Sequence, residues 1–448
     1  MLCSVCRHCG LCQGDGLVIS EKPLITSSDF SFYTDCVSES FSDRDIGIAI
    51  DIGTTTLALC AVQLSNIRVL ARCGQENAQR VYGSDVVSRI HFALKEEALA
   101  LLHKIITEQL SRLCQKLLRD VSALFLAERK GPVQVKRMTF TGNTAMLSIL
   151  CNMDVSGLAT FPFSLPHDFG FECSAKKILT ELSSDFDECR AYIPPVLSAF
   201  VGADTVCAVL SCGLLKKDKC SLLCDVGTNC EMALYDPPKN ILWSTSAAAG
   251  PAFEAYGISC GMPACEGAIA RVLPSKDKSV NCEIIGGLRA KGLCGTGLLS
   301  AVSTFLTQGR IDSSGRIVNA EEIVLCDEVK LLQKDIRELQ LAKAALRTGF
   351  DFLCLQAQVN AKELEELFVA GGFGTSLNEH DACVLKMFPS ECEKKVCHAG
   401  NASLAGAVML LVNESYRKEC EDIKSISSVI NLAQRQDFNE HFMASLNF

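Results

Sequence analysis

Two five-residue phrases in this chain join a carboxylate to a glycine turn and to hydroxyl or amide side chains. They are Asp51-Ile52-Gly53-Thr54-Thr55 and Asp225-Val226-Gly227-Thr228-Asn229. Glycine lets the backbone approach a phosphate, threonine hydroxyls donate to its oxygens, and an aspartate can hold a hydrated Mg²⁺. Two such phrases would clamp the phosphates of ATP, with Asp51 and Asp225 near the metal. A third phrase, Gly371-Gly372-Phe373-Gly374, would close over the adenosine, with Gly371, Gly372 and Gly374 at the ligand. The chain has no Gly-x-x-x-x-Gly-Lys-Ser/Thr sequence and no Gly-x-Gly-x-x-Gly after a strand. Phosphate is therefore not held by a Walker loop or a dinucleotide fingerprint.

A different chemistry sits at the N-terminus. Cys3, Cys6, Cys9 and Cys12 follow one another at an unbroken three-residue spacing. Four thiolates so placed can wrap a 4Fe–4S cluster, because each two-residue gap lets successive sulfurs point inward. The ferredoxin run has a longer last gap followed by proline; here Gln13-Gly14 follows, so Cys36 competes with Cys12 as fourth ligand. The alternative occupant is a structural zinc, although four-cysteine zinc sites normally use two pairs held further apart.

Local patterns place these phrases on definite elements. Each aspartate ends an apolar run, Ile46–Ile50 or Leu222–Cys224, and a second run follows, Leu57–Val62 or Met232–Tyr235. Both pairs read as β-hairpins with the glycine in the turn. Helical periodicity covers 85–97, 99–126, 202–215, 296–308, 334–358, 374–386 and 401–413. Strands that precede helices, twice over, indicate two α/β halves. The resulting division is an iron–sulfur segment over 1–16, a linker over 17–45, and two lobes over 46–215 and 216–448.

Composition narrows the class. At 448 residues the chain can build two or three cores, and its net charge of −9 argues against nucleic acid or an anionic membrane as the main partner. The longest apolar run, 402–412, is too short to span a bilayer, and the N-terminus lacks the apolar core of a signal peptide. A cytoplasmic protein is expected. The 26 cysteines, unusual without export, suit a reducing cell; Cys60, Cys114, Cys207, Cys224 and Cys354 lie in apolar stretches and read as small hydrophobes.

The order of the three phrases resembles the actin, sugar-kinase and heat-shock chaperone ATPase superfamily, which has duplicated actin-like (ribonuclease H-like) α/β lobes with nucleotide between them. The resemblance makes 51–55 and 225–229 the two phosphate loops, with Gly53, Thr54, Thr55, Gly227, Thr228 and Asn229 at the nucleotide. It makes 371–374 the adenosine loop. It also places a carboxylate at Asp204, in Val201-Gly202-Ala203-Asp204-Thr205, near the attacking water or the metal. Asp204 reads equally as a helix N-terminal acid complementing the dipole.

Further phrases sharpen the resemblance. They are Phe140-Thr141-Gly142-Asn143-Thr144-Ala145-Met146, Ala247-Ala248-Ala249-Gly250-Pro251-Ala252-Phe253-Glu254, Gly292-Leu293-Cys294-Gly295-Thr296-Gly297, Asp335-Ile336-Arg337-Glu338-Leu339-Gln340 and Gly400-Asn401-Ala402-Ser403. From Ile46 to about Val412 the chain resembles the ATP-dependent reductive activators of corrinoid proteins. That resemblance implies one-electron transfer from an iron–sulfur centre to a corrinoid protein of a methyltransferase system, returning Co(II) to Co(I). It also implies a low-potential electron donor. The best-known members carry a plant-type 2Fe–2S domain where this chain has its short cysteine cluster. The competing readings are a small-molecule kinase and a non-redox ATP-dependent binding protein of the same superfamily.

Overall fold

The computed structural model describes residues 41–448 apart from 130, 166, 276–278, 288 and 375. The cysteine cluster, Cys36 and most of the expected linker lie outside them. The described chain divides into two compact units. One comprises 41–215 with 401–429, the other 216–400 with 430–448.

The first unit is built on one mixed sheet. Its strands are β1 (Asp45–Ile52), β2 (Thr56–Gln63), β3 (Arg68–Glu76), β4 (Gln134–Gly142), β5 (Phe171–Ser174) and β6 (Arg190–Ile193), in the order β3-β2-β1-β4-β6-β5. β1 to β3 form an antiparallel meander, and β1 then pairs parallel with β4. β1 reads Asp-Ile-Gly-Ile-Ala-Ile-Asp-Ile and is buried almost throughout, as befits a central strand covered on both faces. The helix Ala98–Ala127 buries Leu102, Ile106, Leu110, Leu113, Leu117 and Val121, whose three- and four-residue spacing makes one apolar stripe. The short helix Thr144–Leu150 starts where Asn143 accepts from Met146 N at 3.0 Å. After the excursion through the second unit the chain returns as the helix Ala402–Val412. It packs against β1, β4 and the helix Ala203–Ser211.

The second unit repeats this plan. β7 (Ser221–Val226), β8 (Cys230–Asp236) and β9 (Ile241–Ala247) form an antiparallel meander. Two smaller sheets follow, from β10 (Ala268–Pro274), β11 (Val280–Ile284) and β12 (Gly292–Leu293), and from β13 (Glu322–Cys326) and β14 (Val329–Leu332). β15 (Leu367–Ala370) pairs parallel with β7 and with β16 (Val396–Gly400). The run β9-β8-β7-β15-β16 thus has the same connectivity as β3-β2-β1-β4-β6, so the expected duplication is present in the strand order. Helices Gly295–Thr307 and Gln333–Ala357 supply much of this unit's core.

Two local expectations change. The helix expected over 374–386 is interrupted. Gly371–Gly374 is itself a helical turn, and the later helix covers only Glu379–Val384. Asn378 restarts it by accepting from Asp381 N at 2.9 Å. The helix Tyr416–Ile426, absent from the sequence reading, buries only Tyr416, Cys420 and Ile423 in an otherwise polar segment.

Candidate functional site

In the first unit, Asp51 lies near the end of β1, inside the sheet, opposite Ala58 on β2 and Thr141 on β4. The turn that follows closes by Gly53 N donating to Thr56 O at 3.0 Å. Thr54 and Thr55 are buried. The turn is held from behind by two asparagines. Asn143 donates to Thr54 Oγ1 at 3.0 Å. Asn77 donates its backbone N–H to Thr55 O at 2.8 Å and its side-chain amide to Gly53 O at 3.0 Å. The hairpin expected from sequence is therefore braced by the residue after β4 and the residue after β3.

Two carboxylates meet at this turn. Asp51 accepts from Asn401 Nδ2 at 3.0 Å and from Ser403 Oγ at 3.4 Å. Burial pushes its carboxyl up to about 6 against the opposing pull of those two hydrogen bonds. Asp204 sits in the first turn of the helix Ala203–Ser211 and accepts from Thr205 N at 2.7 Å. Its carboxyl is pushed up to about 7, first by burial and further by the charge of Asp51. Gly202 permits this approach. A β-carbon there would stand 2.4 Å from Asn143 Cα and 2.5 Å from Gly142 O. Thr141 Oγ1 lies 3.3 Å from Ser403 Oγ and completes the group.

The second unit carries its own cluster. Asp225 lies on β7 opposite Glu231, and the turn closes by Gly227 N donating to Asn229 O at 3.1 Å. Thr228 Oγ1 donates to Glu254 Oε1 at 3.2 Å, and Ser246 donates to Glu231 at 3.1 Å. The turn Gly371–Gly374 lies directly on this loop. Gly371 has φ +86°, and a β-carbon on it would stand 2.6 Å from both Asp225 Oδ1 and Val226 O. Gly372 is within the same turn, and Gly374 O accepts from His398 Nδ1 at 2.6 Å.

The sequence reading placed Asp51, Asp204 and Asp225 at a site but gave no role to Asn77, Asn143, Glu231, Glu254, Asn401 or Ser403. Four of these stand in phrases it singled out without a function. Asn77 follows β3 with no motif around it, and Glu231 is two residues past the second phrase. Cys3, Cys6, Cys9 and Cys12 lie outside the described residues. Cys60, Cys114, Cys207, Cys224 and Cys354 are buried free thiols whose proton affinity burial raises. Among the described residues, no group of three or more His, Cys, Asp or Glu is arranged to hold a metal ion. Nor is any described helix long and apolar enough to cross a membrane.

The duplicated strand order, with a carboxylate and glycine turn at equivalent places, defines an ASKHA-fold protein. Residues 219–448 match the family model of the C-terminal domain of RACo, the ASKHA domain, and residues 46–217 match the RACo middle region. The chain belongs to the RACo family. It is 29% identical over 439 residues to the corrinoid activation enzyme RamQ of Eubacterium limosum, covering 90% of this chain and 70% of that protein. It is 27% identical over 432 residues to the [Co(II) methylated amine-specific corrinoid protein] reductase of Methanosarcina barkeri, covering 90% and 77%. The solved structure of a reductive activator for corrinoid, iron–sulfur protein superposes with a TM-score of 0.81 at 29% identity. That match covers 92% of this chain and 67% of the other.

Proposed function

We propose that this protein is an ATP-hydrolysing reductive activator of a corrinoid protein, returning the partner's cobalt from Co(II) to Co(I). The observation that carries the nucleotide part is the Asp51–Asp204 pair, two half-buried carboxylates gathered beside a braced Gly-Thr-Thr turn. The corrinoid part rests on membership of the RACo family.

The residues fit Mg-ATP. Two carboxylates whose burial and mutual repulsion favour protonation gain most from a nearby dication. Mg²⁺ typically takes one or two carboxylates together with substrate phosphates and water. Asp51, Asp204 and Asp225 would serve the metal and the attacking water. Gly53, Thr54, Thr55, Gly227, Thr228 and Asn229 would hold phosphate, and Gly371, Gly372 and Gly374 the adenosine. Asn401 and Ser403 fix the Asp51 carboxylate, while Asn143 and Asn77 fix the turn.

A 4Fe–4S cluster on Cys3, Cys6, Cys9 and Cys12 would supply the single electron, drawn from a low-potential donor in a reducing cytoplasm. ATP is needed because cobalt(I) corrinoids lie at very negative potential. A one-electron gap of roughly 0.2–0.3 V costs on the order of 5–7 kcal/mol. Binding can shift an equilibrium only through differential affinity, so the nucleotide must change how this chain holds its partner.

The test is anaerobic. The protein is mixed with a Co(II) corrinoid protein from the same cell, a low-potential reductant and ATP, and the Co(I) absorption band is followed. Reduction should need ATP and should fail in Asp225→Ala. If no corrinoid protein is reduced faster with ATP than without, and a small metabolite is phosphorylated instead, the reading is a kinase. Binding of ATP with neither outcome would leave a non-redox ATP-dependent binding protein.

A further inference from the structure

Arg89, on the helix Val86–Ala93 of the first unit, is fully buried. Its guanidinium donates to Gly83 O through Nη2 at 2.7 Å and Nε at 3.3 Å, and to Gln79 Oε1 at 3.5 Å. Nη1 also lies 3.1 Å from the Met146 sulfur. Among the described residues every partner is neutral, and no carboxylate comes within the 4.0 Å of an ion pair. Asp85, the acid whose charge acts on it, turns its oxygens to Ser88 and Ser84. Burial lowers the Arg89 guanidinium to about 10, so it stays charged at neutral pH. A buried cation with no counter-ion in contact is costly, and natural interiors tolerate one where an anion completes it.

The surroundings say where that anion belongs. The Met146 sulfur that Arg89 touches also lies 4.0 Å from Asn77 Nδ2, the amide that donates to Gly53 O. Met146 N in turn donates to Asn143, which donates to Thr54 Oγ1. Arg89 therefore stands one side chain behind both asparagines that brace the Gly53-Thr54-Thr55 turn. The other charges nearby do not duplicate it. Arg80 on the neighbouring 3-10 turn is paired with Glu76.

We propose that Arg89 is a positioning residue for the nucleotide's phosphates, its buried charge and its hydrogen bonds holding the first phosphate turn for a polyanion. This rests on the nucleotide reading above and adds to it the source of positive charge behind that turn. Its charge would offset the negative charge of the Asp51 and Asp204 carboxylates beside that turn. Attraction through a low-dielectric layer is screened far less than through water, so the charge acts without touching the ligand.

The experiment compares the dissociation constants of Mg-ATP, Mg-ADP and adenosine for the wild-type protein, Arg89→Gln and Arg89→Lys, with thermal unfolding of each. In Arg89→Gln, Mg-ATP should bind about tenfold more weakly, Mg-ADP less so, and adenosine within about twofold of wild type. Arg89→Lys keeps the charge but loses the paired bonds to Gly83, and should keep the preference for ATP over adenosine. If Arg89→Gln does not fold, Arg89→Met, a second neutral variant with an unbranched apolar stem, takes its place and carries the same expectations. A preference for ATP that collapses despite the retained charge overturns the proposal. So does equal weakening of ATP and adenosine, or no change in ATP affinity, in a folded Arg89→Gln. A wild-type protein that binds no Mg-ATP would instead defeat the nucleotide reading itself.

Discussion

Asn401 donates to the Asp51 carboxylate at 3.0 Å across 350 positions of sequence. The same residue caps the helix Ala402–Val412, its Oδ1 accepting from Leu404 N at 2.8 Å. One asparagine thus joins the start of a core helix to the carboxylate proposed to serve the metal.

Those two tasks can be separated. Asn401→Ser keeps a good helix cap but loses the reach to Asp51, so stability should stay within about 0.5 kcal/mol. ATP hydrolysis should fall at least about tenfold, the cost of about 1.4 kcal/mol in the transition state. Asn401→Ala should lose the same activity and about 1 kcal/mol of stability besides. Steady-state hydrolysis and urea unfolding of both variants check this. Full activity in Asn401→Ser would leave the residue as a cap only.

The carboxylate pair predicts an unusual pH dependence. Asp51 and Asp204 have proton affinities raised to about 6 and about 7, above their unfolded values near 4. The folded chain therefore binds more protons than the unfolded chain between about pH 4 and 7. Over that window the pair's contribution to stability falls as pH rises, by a few kcal/mol for both groups together. Unfolding of nucleotide-free, chelator-treated protein from pH 5 to 8 measures it. Asp204→Asn should flatten the slope relative to wild type, and Mg-ATP should offset it. An identical slope in Asp204→Asn would put the titration elsewhere.

Gly371 should tolerate no side chain. Gly371→Ala meets a positive φ and two oxygens of the 225–226 segment at 2.6 Å, a strain of about 1–3 kcal/mol. Relief requires moving either the turn or Asp225. The expected result is a lower melting temperature with nucleotide affinity reduced tenfold or more, read by calorimetric titration. Unchanged affinity in the folded variant would remove the 371–374 turn from the site.

The cluster proposal separates cleanly from the nucleotide site. Cys6→Ser combined with Cys9→Ser should abolish iron content and the visible charge-transfer absorption while ATP binding survives. Cobalt reduction should disappear with the colour. Iron retained at the wild-type level would mean other ligands, and zinc in the wild-type protein would replace the electron-transfer reading.

The strand–turn phrases around Asp51 and Asp225, the helical periods and the twice-repeated order of strands before helices were legible along the chain because they depend on near neighbours. Alternating or continuous apolar runs dictate which segments are buried, and glycine dictates where a tight turn falls. The 371–374 phrase was legible as a glycine-rich turn, but its seat on Asp225 was not, since only the parallel pairing of β15 with β7 sets Ala370 beside Asp225. The meeting of Asp51 with Asp204, Asn401 and Ser403 was likewise undecided. It depends on the chain leaving the first unit at 215 and returning at 401 to pack a helix against β1 and β4. Burial of a charge is a property of everything around it, so the raised proton affinities of Asp51 and Asp204 and the stranded guanidinium of Arg89 exist only in the folded molecule.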